Sequence, residues 1–87
     1  MGHRRGEGAD LNNLGVAFES MKNYEEALAC FLRAKDIRIE IKDPNFKTTE
    51  ANIKELKGKL GEKEFKKLET EVASRAGEIV KGLLNKK

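Results

Sequence analysis

Seven positions restrict what this chain can fold into: Leu11, Leu14, Gly15, Phe18, Ala27, Phe31 and Pro44, in the order L-x2-LG-x2-F…A-x3-F…P. Leu11, Leu14 and Phe18 stand at i, i+3 and i+7, so they share one face of a helix. Ala27 and Phe31 stand at i and i+4 on a second helix, and Ala34 extends that face. Gly15 and Ala27 are small enough to let two antiparallel helices approach closely. Asn23-Tyr24 lies between them, where the chain must reverse. Asp43-Pro44 closes the unit, because proline disfavours the helical conformation of the residue before it.

The same periodicity predicts four helices and no strand. The first spans about Asp10 to Lys22, with Leu11, Leu14, Phe18 and Met21 as its stripe and Asp10 suited to the N-cap or first turn. The second spans about Tyr24 to Lys42. It carries two apolar faces, one of Tyr24, Ala27, Phe31, Ala34, Ile37 and Ile41, the other of Leu28, Leu32 and Ile39. Two apolar faces call for two neighbours. The third spans about Lys47 or Thr48 to Lys59, with Ile53, Leu56 and Leu60 inward, Thr48 or Thr49 as cap, and Gly61 as a left-handed stop. The fourth spans about Glu62 to Leu84 with Phe65, Leu68, Val72, Ala76, Ile79 and Leu83 on its stripe. Ala73, Val80 and Leu84 widen it. Gly77 and Gly82 each cost such a helix about 1 kcal/mol relative to alanine.

The first unit resembles the tetratricopeptide repeat, whose pattern is W-x2-LG-x2-Y…A-x3-F…P, with Leu11 in the Trp slot and Phe18 in the Tyr slot. The resemblance implies an all-α, superhelix-type fragment of two antiparallel helical hairpins. Residues 10–44 form the repeat. Residues 45–87 form a degenerate repeat or C-terminal capping hairpin. Residues 1–9 hold three glycines and no apolar period, and read as a flexible tail or inter-repeat linker. Beside the family, Arg4-Arg5-Gly6-Glu7 looks like the link between repeats in bacterial arrays. Asn13-Leu14 recurs as Asn52-Ile53, a period of 39 against the usual 34. That resembles the longer repeats of bacterial signalling proteins and kinesin light chains. In this register Lys54 replaces Gly15, Lys57 replaces Phe18 and Lys66 replaces Ala27. Such charges cannot face a close-packed core, so the second hairpin reads as the C-terminal end of an array, with the polar outer face a cap needs.

Catalytic chemistry finds little footing. His3 is the only histidine, and no Cys-x-x-Cys or HExxH spacing exists to hold a metal. Gly6-x-Gly8 lacks the order of a phosphate loop. The expectation is a non-enzyme with no cofactor and no metal. Cys30 is the only cysteine, sits in an apolar helical run and reads as a buried structural thiol. Without a membrane span or a signal-peptide core in the sequence, the expected setting is the cytoplasm.

The function implied by the resemblance is a scaffold that binds a protein or peptide. In such repeats the first helix of each pair builds the concave wall. Carried over position by position, Asn12, Asn13, Val16, Glu19 and Ser20 would line or rim it. Asparagine amides can hydrogen-bond an extended peptide backbone with little regard to its sequence. The repeats that clamp a terminal carboxylate use Lys at the Asn12 position and Asn at the Val16 position; this chain has neither. An alternative is a purely structural end-cap for a longer array. A third class is nucleic-acid binding. Residues 45–87 carry eleven Lys or Arg against seven Asp or Glu, while residues 1–44 carry seven against eight. Lys54, Lys57, Lys59, Lys63, Lys66 and Lys67 would be the contacts, but no aromatic stacking platform interleaves with them. One good repeat with unmatched apolar faces also implies a homodimer.

Overall fold

A computed structural model describes residues 2–75, 78–79 and 81–82, with side chains from Gly6 onward. The described residues form four helices: α1 (Gly2–Ser20), α2 (Tyr24–Glu40), α3 (Phe46–Leu60) and α4 (Glu62–Ala73). They contain no strand. The α1–α2 and α3–α4 pairs are two hairpins, and α2 touches the other three helices. This matches its sequence: Ala27, Leu28, Ala29, Cys30 and Phe31 are all fully buried, so α2 is enclosed around its whole circumference there. The core continues through Leu11 of α1, Ala34 and Ile37 of α2, Leu56 of α3, and Phe65 and Val72 of α4. Leu14, Phe18, Tyr24, Leu32, Ile53, Leu60, Leu68 and Ile79 pack around it.

Both α1 and α2 end in the same way. Asn23 N–H donates to Phe18 O (2.8 Å) and Lys22 N–H to Glu19 O (2.9 Å). Twenty residues later Asp43 N–H donates to Arg38 O (2.7 Å) and Lys42 N–H to Ile39 O (3.0 Å). These paired bonds define a Schellman end, which needs a left-handed residue. Here that residue is a lysine each time, with φ 63° at Lys22 and φ 58° at Lys42.

Several expectations need correction. Residues 2–9, expected as tail or linker, are helical and supply the first turns of α1. Gly8 is buried there because the Arg38 side chain lies over it; a Cβ on Gly8 would stand 3.1 Å from Arg38 Cγ. Neither Thr48 nor Thr49 caps α3; Asn45 is the N-cap residue, without a side-chain cap bond. Thr49 is fully buried, and its Oγ1 accepts a hydrogen bond from Arg38 Nη1 at 3.0 Å. Met21 and Ile39, placed on apolar stripes, are 59% and 49% exposed. Gly61 has the expected positive φ, 87°, but its ψ of 153° makes it extended rather than left-handed helical. That region is essentially open to glycine alone.

Helix α4 is also shorter than its stripe suggested. It stops at Ala73, where Ser74 Oγ donates to Glu71 O (3.2 Å) and Arg75 N–H to Val72 O (2.9 Å). Serine that bonds the preceding turn competes with helical continuation. Residues 78–79 and 81–82 are helical again. Ala76, Gly77, Val80, Leu83 and Leu84 lie outside the described residues. Lys54, Lys57 and Lys66 are all exposed.

Candidate protein-interaction face

The face of α1 that meets α3 is organised by two polar pairs. Asn52 Nδ2 donates to Asn12 Oδ1 at 3.0 Å. Lys59 Nζ lies 2.9 Å from Glu19 Oε2. Both pairs join residues 40 apart in sequence, and both members are seven apart on their own helix. Two matched i, i+7 steps running the same way require α1 and α3 to lie parallel, side by side. The seam is thus one residue out of step with the 39-residue period of Asn13 and Asn52.

Glu19 is only 6% exposed. A carboxylate so far from water needs a charged or hydrogen-bonding partner. Lys59 supplies it, and the hydrogen bond to Glu19 holds the Lys59 ammonium pKa above its ordinary value. Asn12, 7% exposed, is satisfied in the same manner by Asn52.

The five sequence-derived residues therefore separate into two sets. Asn12 and Glu19 turn toward α3 and are tied to it. Asn13, Val16 and Ser20 are exposed. Their spacing of three and four puts them in one strip along α1, beside the seam. Val16 is 42% exposed, an aliphatic side chain open to solvent between two polar neighbours. The strip offers one amide, one apolar contact and one hydroxyl. It has the hydrogen-bonding groups for a peptide backbone and contains no nucleophile–base pair.

Sequence reasoning missed the α3 half of this arrangement. Asn52 repeats the residue type of Asn12, and Lys59 opposes the charge of Glu19, so the 40-residue offset was the signal. It also missed Arg38. That side chain is buried and spans the hairpins: its Nη1 donates to Asn45 O and to Thr49 Oγ1, both at 3.0 Å.

Outside the α1 strip, Lys35, Glu50, Ile53, Lys54, Lys57, Phe65 and Glu69 line an open hollow where α2, α3 and α4 meet. Lys35 and Glu50 pair across its rim at 3.3 Å. The exposed lysines of α3 and α4 share their surface with Glu50, Glu55, Glu62, Glu64 and Glu69. Cys30 is buried, and burial followed by the nearby Glu26 carboxylate pushes its thiol pKa up to about 11. No group of three or more His, Cys, Asp or Glu among the described residues is placed to hold a metal ion. No helix among them is long and apolar enough to cross a membrane.

Residues 10–38 match the family model of the tetratricopeptide repeat. No curated protein and no solved structure matches the chain at a significant level.

Proposed function

We propose, from the tetratricopeptide repeat that residues 10–38 carry, that the chain is a protein-interaction module and that its ligand is an extended peptide lying along α1. Repeats of this family generally mediate protein–protein interaction, and the family is a non-catalytic scaffold. The observation that carries the reading is the division of the α1 face. Asn12 and Glu19 are consumed in fixing α1 against α3. Asn13, Val16 and Ser20 remain open as a straight strip on a helix that cannot rotate away. A site fixed before binding loses little freedom on binding. Cys30, the chain's one cysteine, suits a reducing, cytoplasmic setting.

The test is selection of a random peptide library on the whole chain, followed by fluorescence anisotropy of the selected peptides. Val16→Lys and Asn13→Ala should each weaken binding at least fivefold, with the melting temperature unchanged. Selected peptides that are indifferent to both substitutions would contradict the proposal.

A second reading, a structural end-cap, draws on the outward faces of α3 and α4. Lys54, Lys57, Glu62, Lys63, Glu64, Lys66 and Lys67 are exposed there, as a terminal hairpin of a solenoid requires. It predicts that library selection returns no peptide that binds the α1 strip.

A further inference from the structure

The α2–α3 turn carries a separate surface whose described lining residues include none from α1. Ile39, Lys42, Pro44, Phe46 and Lys47 line an open hollow of about 550 Å³. Its floor is aliphatic and aromatic, and Ile39 is left 49% exposed. Among the described residues, the charged ones in its lining are Lys42 and Lys47. The hollow is held in shape from behind. Asp43 N–H bonds Arg38 O at 2.7 Å, Asn45 N–H bonds Asp43 Oδ1 at 3.0 Å, and Arg38 Nη1 bonds Asn45 O at 3.0 Å. Pro44 fixes its own φ. The turn that frames the surface is therefore set before anything binds.

We propose that this hollow docks a short acidic peptide segment of a partner protein through one bulky aliphatic or aromatic side chain. That side chain packs on Ile39, Pro44 and Phe46, and flanking carboxylates pair with Lys42 and Lys47. Apolar burial supplies most of the affinity. The exposed ion pairs add little energy, but they select the sign of the partner. Charge also argues against two nearer occupants. The chain's own C-terminal sequence, Leu83-Leu84-Asn85-Lys86-Lys87, is apolar but basic, and a second copy carries net charge +3.

The experiment is fluorescence anisotropy of the whole chain with three labelled hexapeptides at low salt: EEDFEE, its serine counterpart EEDSEE and its basic counterpart KKNFKK. EEDFEE should bind at least tenfold more tightly than either counterpart. The double variant Lys42→Asn, Lys47→Glu should lose at least tenfold for EEDFEE; asparagine is chosen because it tolerates the positive φ at position 42. Val16→Lys should leave EEDFEE binding unchanged, which separates this surface from the α1 strip. Amide chemical-shift changes should centre on Ile39, Lys42, Phe46 and Lys47. Equal binding of EEDFEE and EEDSEE, shifts centred on α1, or the same shifts produced by raising the chain's own concentration without peptide would each overturn the proposal.

Discussion

Gly15 lies beneath the ring of Phe31 so closely that a Cβ on Gly15 would stand 2.6 Å from Phe31 Cε1 and 2.7 Å from Cδ1. Phe31 is fully buried, so the ring has little room to retreat. Overpacking of this kind costs about 1–3 kcal/mol, while Gly→Ala in a helix interior returns about 1 kcal/mol. Gly15→Ala should be net destabilising, by up to about 2 kcal/mol, in urea denaturation. In a Phe31→Leu background the same substitution should be neutral or stabilising. An unchanged or raised midpoint in the otherwise native chain would contradict the packing described.

Ala27 tests the hairpin from its other side. It is fully buried, and a lysine there brings a charge and a long stem into the core. Ala27→Lys should cost several kcal/mol, about 3 or more, by overpacking and desolvation together. Lys66→Ala should stay within about 0.5 kcal/mol, because Lys66 is exposed. Thermal melting of the two variants side by side gives the answer, and similar melting temperatures would refute the assignment of inside and outside.

Where helix face and burial coincide, the sequence was legible. Leu11, Ala27, Phe31, Leu56, Phe65 and Val72 fall on the periodic apolar stripes, and all are buried. The close approach at Gly15 followed from its size, although it is Phe31 that fills the space. What escaped reading depends on partners distant in sequence. Gly2 to Ala9 lacked any apolar period, yet Gly8 is enclosed by Arg38, thirty residues on. Thr49 had the chemistry of a cap but serves as an acceptor for Arg38. Asn12 and Glu19 looked like ligand contacts and are taken up by Asn52 and Lys59. Local pattern cannot separate a polar residue waiting for a ligand from one already bonded within the chain.

Lys22 and Lys42 hold positive φ at the two Schellman ends. A side chain in that conformation costs about 1–2 kcal/mol, against which glycine's extra unfolded-state freedom costs about 0.5–1 kcal/mol. Lys22→Gly should therefore stabilise by about 0.5–1 kcal/mol in chemical denaturation. Lys22→Ala should not, since alanine keeps the strain. Equal effects of the two substitutions would mean that the α1 end is not held as described.

Cys30 makes stability depend on pH in a defined direction. Its thiol pKa is raised from 9.0 to about 11, chiefly by burial. The folded chain keeps a proton that the unfolded chain has lost, so the contribution is full below pH 9 and disappears as pH rises toward 11. Its size is on the order of 1–3 kcal/mol. The stability difference between the native chain and Cys30→Ala should narrow from pH 8 to pH 11. A thiol reagent should label Cys30 only at the rate of unfolding. A constant difference across that range, or rapid labelling, would contradict the burial of the thiol.

In the function proposed here, Asn13, Val16 and Ser20 of α1 form a peptide-binding strip fixed by the Asn12–Asn52 and Glu19–Lys59 seam. Amide chemical-shift mapping of the whole chain, with the tightest peptide from library selection, is the decisive measurement. Perturbations concentrated on Asn13, Val16 and Ser20, with the amides of α4 undisturbed, are the predicted result. Perturbations confined to α3 and α4, or spread evenly over the chain, would contradict it.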